Sequence, residues 1–415
     1  MSKTNRTNYD VIIIGGGAAG LMAGAICGQN GKDTLIVDKN NQLGRKLLIT
    51  GKGRCNITND CDNNTFLQNI PTNSKFLYSA INQFDTFAVK NFFEENGVPL
   101  KTERGNRVFP QSDKAIDVCN ALINACKKSN VDIITDNIVE ILSEDNVVKG
   151  VECKSKDKYF AKSVILCTGG KSYPQTGSTG DGYSLAKKLG HTVTKIRPSL
   201  VAIASDDEFC KEMQGLSLKN VTLSLVDNEK NKVIFSELGE MLFTHFGISG
   251  PLVLSASSHM KEITPNKYKF LLDLKPGLTT QQLDARILRD FDKYINKDFF
   301  NGLGDLLPKK MIKTVIDLSK INPLLKINQI TKEQRLNLID AIKMLPISIK
   351  SFRSIDEAII TSGGIKTVEI NPKTMQSKII EGLFFAGEII DVDGYTGGFN
   401  LQIAFSTAYL AANNS

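Results

Sequence analysis

Residues 9–38 read YDVIIIGGGAAGLMAGAICGQNGKDTLIVD, and no other stretch of the chain constrains the fold as tightly. Val11 to Ile14 form a short unbroken apolar run, the pattern of a strand buried on both faces. Three glycines follow as Gly15-x-Gly17-x-x-Gly20 and lead into an apolar helix. A second apolar run at 34–37 ends in Asp38. Each part has a physical job. Gly15 permits the tight turn, Gly17 lets main chain approach a pyrophosphate, and Gly20 lets helix and strand pack closely. A helix beginning at Ala18 and Ala19 turns unpaired N–H groups and the positive end of its dipole toward phosphate. Asp38, with Lys39 beside it, is placed to accept from ribose hydroxyls. Strand, glycines, helix, strand and acid in register predict an ADP-containing cofactor.

The same residues must be told apart from a membrane or signal segment. Residues 11–28 are mostly apolar, but six of the eighteen are glycine, and the preceding tail MSKTNRTN carries two positive charges. A spanning helix needs about 20 predominantly apolar residues, so the reading is a non-membrane, cytoplasmic protein. At 415 residues the chain exceeds one simple core and predicts two or three domains. Its eight cysteines show no CxxC pair and no metal-ligand spacing with the three histidines, so no metal and no disulfide scaffold are expected. The net charge of +7 forms no linear stripe interleaved with aromatics, which argues against nucleic acid as a partner.

Along the chain, residues 9–195 alternate strand and helix patterns. Residues 75–96 read as helix, 113–130 as a helix capped by Ser112 or Asp113, and 131–143 and 147–154 as strands of an antiparallel layer. An apolar strand then enters Thr168-Gly169-Gly170. From about residue 192 to 274 short strands are separated by polar turns. Residues 278–341 turn helical, with Thr331 as an N-cap, and 346–352 resume strand character. The last fifty residues return to the first theme: a strand runs into Gly387 and Glu388, and a helix starts near Asn400. The fold class is therefore α/β, with a discontinuous Rossmann-like domain closed from both chain ends (1–192 and 362–415). It carries an inserted antiparallel, barrel-like β domain (193–276 and 342–361) with a helical insertion (277–341). No second strand–GxGxxG–helix unit is present, since Gly177-Ser-Thr-Gly180-Asp-Gly182 follows a proline-containing loop.

Four segments extend this reading: LGRKLLITGKGRCNITN (43–59), TGSTGDGYSLAKKLGH (176–191), FTHFGISGP (243–251) and AGEIIDVDGYTGGFNLQIAFST (386–407). With the N-terminal unit they resemble the glutathione-reductase-like FAD-binding superfamily. Within it they are similar to the BaiN/YhiN-like flavoproteins, some of which are labelled aminoacetone-oxidase-like. The resemblance spans nearly the whole chain. It implies a noncovalent FAD held by Gly15, Gly17, Gly20 and Asp38 at one end. Arg45, Lys46 and the loop Gly51, Gly53, Arg54, Cys55 and Asn56 would lie close to flavin and phosphates. Ile138 would contact adenine through its backbone, and Thr168, Gly169 and Gly170 would pass close to the cofactor. Gly397 and Gly398 would permit close approach, Glu388 or Asp391 would bond ribityl hydroxyls, and a helix starting at Asn400, Leu401 and Gln402 would aim its N–H groups at the flavin. Lys52 departs from the small residues that relatives carry there, and Ser406-Thr407-Ala408 lacks a glycine common in relatives. Cys55 has no nearby partner thiol. His245 and Tyr395 are the candidate proton donors, whereas His191 and His259 read as structural.

The activity so implied is hydride transfer between flavin N5 and a small organic substrate bound between the FAD domain and the β domain. Two directions stay open: reduction of a C=C or C=N bond with NAD(P)H as a transient donor, or oxygen-linked oxidation of a small amine. A reading from another class, a flavin-bound RNA-binding or RNA-modifying protein, also stays open. Oligomeric state is not legible.

Overall fold

The computed structural model describes residues 6–415, so part of the tail weighed against a signal peptide lies outside the described residues. The chain divides into two compact units, residues 1–199 with 355–415 and residues 200–354.

The first unit is built on β1 (Asn8–Ile14) and β2 (Thr34–Asp38), joined through α1 (Ala18–Gln29). β1 pairs in parallel with β2. Nine consecutive residues of α1, Ala19 to Cys27, are buried, because the helix is apolar on every side and packs against both sheet and neighbouring helices. A small three-stranded sheet follows from β3 (Thr58–Asn59), β4 (Leu100–Glu103) and β5 (Arg107–Pro110), in the order β3-β5-β4. Helix α2 (Ala115–Lys128) leads to β6 (Asp132–Thr135), β7 (Ile138–Glu144), β8 (Val147–Cys153) and β9 (Lys158–Leu166). The main sheet runs β6-β2-β1-β9-β8-β7. β9 is its organising strand: it pairs in parallel with β1 along its length and antiparallel with β8 over its first residues. Over its last residues, Val164 to Leu166, it accepts β19 (Leu383–Phe385) in parallel. The C-terminal segment thus takes the edge that β8 leaves, and the final helix α4 (Phe399–Asn414) packs on α1. Between these, α3 (Asp181–Lys188) precedes β10 (Arg197–Ser199), which pairs with β18 (Ile360–Ser362).

Several local expectations change. The 75–96 helix breaks into Tyr78–Gln83 and Thr86–Glu95, because Asp85 caps the second by accepting from the Ala88 N–H. Residues 131–143 split between two sheet positions, β6 on β2 and β7 on β8. Helix α2 starts after Lys114 with no side-chain cap; Asp113 sits at φ +57 and gives its carboxylate to Arg54 and Lys101 instead.

The second unit is a seven-stranded antiparallel sheet of β11 (Ile203–Ala204), β12 (Ser217–Asp227), β13 (Lys232–Thr244), β14 (Gly247–Ser249), β15 (Tyr268–Asp273), β16 (Leu345–Ser348) and β17 (Ser351–Phe352). Its order, β16-β15-β12-β13-β14-β11-β17, places at its two edges strands separated by only Ile349 and Lys350. The sheet therefore curls back on itself, with covalent chain rather than hydrogen bonds joining the edges. The helices of 277–341 do not form a third compact unit. Leu283, Ile287, Met311, Val315, Leu338 and Ile342 share one core with sheet residues such as Leu223 and Phe270. Residues 193–199 and 355–361, expected in the insert, group with the first unit. No helix among the described residues is long and apolar enough to cross a membrane.

Candidate cofactor site

A cleft opens in the first unit at the C-terminal ends of its parallel strands. That is the position where open α/β sheets bind ligands. Its floor is the turn after β1. Gly15 takes φ +103, and a Cβ there would lie 2.7 Å from the Cys167 carbonyl oxygen. A Cβ on Gly20 would lie 1.7 Å from the Gly15 carbonyl oxygen, so helix and turn meet at main-chain distance. Gly17, Ala18 and Ala19 line the cleft, and Gly17 has open space where a side chain would stand.

At one end Asp38 Oδ2 accepts from the Gly16 N–H at 2.6 Å, and its Oδ1 accepts from the Asn40 N–H and Nδ2 at 2.7 and 3.0 Å. The acid thus ties the second strand to the glycine loop as well as facing the cleft. Lys39 Nζ bonds Thr179 Oγ1 and lies 2.5 Å from Asp181 Oδ2. The glycine-rich 177–182 segment therefore belongs to this same end, where Gly177 and Ser178 also line the wall. Ile138 lines it too, with Asp136 and Asn137, which sequence reasoning did not single out.

Along the middle, Arg45, Lys46, Thr168, Gly169, Gly387 and Glu388 line the cleft. Glu388 is held by three donors: Lys46 Nζ at 2.6 Å, Ser172 Oγ at 3.1 Å and the Thr361 N–H at 2.8 Å. Gly170 stands behind this cluster, where a Cβ would lie 2.3 Å from Thr361 Oγ1. The pairing of Lys46 with Glu388 crosses more than three hundred residues and carried no local sequence signal. Arg45 reaches Asn40 Oδ1 at 3.0 Å.

At the far end α4 begins. Gly398, at φ +100, presses on Thr58, whose carbonyl oxygen would be 2.3 Å from an added Cβ. Asn400 and Leu401 line the cleft, but the Asn400 side chain is spent on its own loop, bonding Gly394 N and O at 2.8 Å. The next candidate, Gln402, is fully buried; it bonds Thr58 Oγ1, the Phe84 carbonyl and Ser406 and packs the helix rather than facing the cleft.

The loop of Gly51, Gly53, Arg54, Cys55 and Asn56 follows Thr50, which lines the cleft, but its own residues do not. Cys55 is fully buried at φ +61, and burial pushes its thiol up to about 12, so it is a neutral packing group. Asp391 is half-buried, and desolvation raises its carboxyl above the usual range. Gly397 offers its carbonyl to Asn59. Tyr395 is partly buried against the first unit's core. His245, in the second unit, is exposed with its ring edge-on to Phe246.

The fit to a dinucleotide rests on more than glycine spacing. Thr168 Oγ1 and Asn56 Oδ1, both predicted as contacts, are buried without a hydrogen-bond partner. Buried polar atoms are rarely left so, and a polar ligand would satisfy the one that borders the cleft, Thr168. Gly15 to Ala19 supply phosphate donors, and Lys46 and Arg45 supply positive charge.

A parallel sheet whose dinucleotide cleft is completed by a returning C-terminal strand and helix defines the FAD-dependent oxidoreductase class. The HI0933-like protein Rossmann domain model matches residues 9–414, and the chain belongs to that family. It is 31% identical to a 3-dehydro-bile acid delta(4,6)-reductase of Clostridium scindens, over 96% of this chain and 97% of that protein. It is 30% identical to a ribosomal RNA dihydrouridine synthase of Escherichia coli, over 98% of each. Among solved structures, a 3-ketosteroid delta1-dehydrogenase from Sterolibacterium denitrificans shares the fold, with a TM-score of 0.53 at 14% identity over 98% of this chain and 99% of that one. The chain is thus a FAD-dependent oxidoreductase.

Proposed function

We propose that this enzyme reduces a ring carbon–carbon double bond conjugated to a carbonyl, with NAD(P)H as the transient electron donor. The observation that carries the reading is the pair of full-length relatives at 30–31% identity. One name denotes reduction of ring double bonds, and the other denotes making dihydrouridine, uridine with its ring double bond saturated. The two substrates differ, but the chemistry is shared.

Bound FAD supplies the two-electron hydride carrier. The chain's own residues do the rest. The glycine turn and the start of α1 hold diphosphate, and Asp38 orients the ribose end. Lys46 is held by Glu388, Arg45 sets positive charge along the cleft wall, and the N–H groups opening α4 favour negative charge at its far end. Tyr395 and His245 remain the proposed proton donors. The second sheet is entirely antiparallel and offers no crossover for a separate nicotinamide domain. A nicotinamide would therefore visit and leave. A cytoplasmic location, where NAD(P)H is abundant, completes the proposal.

Anaerobic stopped-flow of the yellow protein tests it. Rapid bleaching of the flavin band by NADH or NADPH, followed by reoxidation on adding a cyclic enone or a uridine-containing RNA, is expected. Bleaching by small amines and by neither nicotinamide would replace this reading with an amine oxidase.

A further inference from the structure

We infer that β3, β4 and β5, with the loop before β3, form a face that binds the sugar–phosphate backbone of RNA. The inference rests on the double-bond reading only in taking uridine within RNA as the substrate. Its first support is charge. Residues 45–59 and 100–114 contain eight Lys and Arg against two acids, although Lys46 is paired with Glu388 and the next residue in the chain, Asp60, is an acid paired with Lys90; the whole 415-residue chain carries +7. These two segments are distant in sequence, but Thr58 pairs with Val108 and Asn59 with Arg107, so the fold joins them in one sheet.

The two acids are already spent. Asp113 accepts from Arg54 Nε at 2.8 Å and Lys101 Nζ at 2.7 Å, and Glu103 pairs with Arg54. That leaves Lys52, Arg104, Arg107 and Lys114 exposed, with no ion-pair partner among the described residues. Two guanidinium groups also share one aromatic ring: Arg54 lies 4.2 Å and Arg107 6.0 Å from the Phe109 centroid. Phe109 itself is buried, so these contacts fix the two guanidinium groups on the sheet. One small anion needs one or two cations; four exposed ones, Arg107 among them, suit an extended polyanion.

The face also adjoins the cleft. Thr50 lines it, and its carbonyl accepts from the Cys55 N–H, closing the loop that carries Lys52. Asn59 Nδ2 donates at 3.0 Å to both Gly105 O, at the hairpin tip, and Gly397 O, in the loop that opens α4. A strand lying on this face would have a base within reach of the cleft end bordered by Asn400 and Leu401.

The test uses the full-length, flavin-loaded protein and a 5′-labelled, uridine-containing RNA oligonucleotide, followed by fluorescence anisotropy from about 50 to 200 mM KCl. Wild type should bind with log affinity falling linearly against log salt. The pair Arg104→Glu with Lys114→Glu should weaken binding about tenfold or more and lower the salt slope by ~1–2. The pair Lys127→Glu with Lys128→Glu on α2 makes the same charge change elsewhere and should stay within about twofold of wild type. Flavin content and melting temperature establish that both variants fold. Absent salt-dependent binding, or equal losses in both pairs, overturns the inference. So does unchanged RNA binding with a raised KM for NADPH, which would assign the cations to a nucleotide phosphate. Reoxidation of the reduced flavin by a cyclic enone or by the RNA is read separately: its absence with both, beside intact RNA binding, would sink the double-bond reading and leave this face standing.

Discussion

The two ends of the chain build the cleft by different means. The wall from the N-terminus is main chain packed on main chain at Gly15 and Gly20, where a single Cβ would fall 2.7 and 1.7 Å from a carbonyl oxygen. The wall from the C-terminus, apart from the close approach of Gly398 to Thr58, is held by a lattice of side chains. Glu388 takes three donors, the Gly387 N–H donates to Thr407 Oγ1 at 2.9 Å, and Asn400 braces its own loop. A wall of main chain has no conservative substitutions; a wall of side chains can lose one bond and keep its shape. Mutations should therefore act as a switch on the first and as a dial on the second.

The largest expected effect is at Gly20. Gly20→Ala puts a methyl inside the Gly15 carbonyl, and neither turn nor helix can yield without losing the other. We expect a cost of roughly 3 kcal/mol or more, read as a large drop in melting temperature with loss of bound flavin. A folded, yellow Gly20→Ala protein would remove the distinction between the walls. Next comes Lys46→Met, which strips Glu388 of its cation but leaves Ser172 and Thr361 in place. About 2 kcal/mol is expected, because a mostly buried carboxylate is left with two neutral donors. Adding Glu388→Gln should restore much of it. Chemical denaturation of the two single variants and the double would show the coupling, and strict additivity would refute the pairing.

The same contrast explains what the sequence made legible. The N-terminal wall was readable because its constraints are local: glycine spacing and an acid at a fixed distance carry the geometry of main chain. The C-terminal wall was readable in outline, since Gly387, Glu388 and the start of α4 do line the cleft. Its bonding was not, because Lys46, Ser172 and Thr361 come from three distant segments that no periodicity connects. Gln402 follows Asn400 and Leu401 at the helix start, but helical rotation turns its side chain inward to Thr58 and Phe84. The independent helical domain failed on packing: amphipathic helices were visible in 277–341, but their apolar faces close the same core as the sheet.

A smaller effect should expose the side-chain wall to pH. His191 is buried, with Nε2 2.8 Å from Ser377 Oγ and Nδ1 3.2 Å from Glu369, and its ring meets Phe385 of β19 edge-on. Ser377 Oγ already accepts from the Ile379 and Ile380 N–H groups, so it donates to Nε2, and Nδ1–H donates to Glu369. Burial lowers the proton affinity of this ring below that of a free histidine, with Glu369 opposing the shift. The sign follows. Below about pH 6.5 the unfolded chain takes up a proton that the folded one resists, so stability is full above that pH and falls as pH drops. His191→Gln should flatten this acid-side fall while lowering stability at neutral pH. An unchanged pH profile would mean that His191 does not report on the C-terminal wall.

The smallest effect expected is none at all, and it bears on the loop between the walls. Cys55 lies beside the cleft segment and invites a redox role, but its thiol is fully buried and held neutral by desolvation. Thiolate, not thiol, is the nucleophile. Treating the native holoenzyme with iodoacetamide should leave Cys55 unmodified by mass spectrometry, with the half-buried Cys61 the more accessible of the two. The rate of flavin reduction should not change. Rapid alkylation of Cys55, with parallel loss of that rate, would show that this loop opens, and that a third, mobile element joins the two fixed walls in the chemistry.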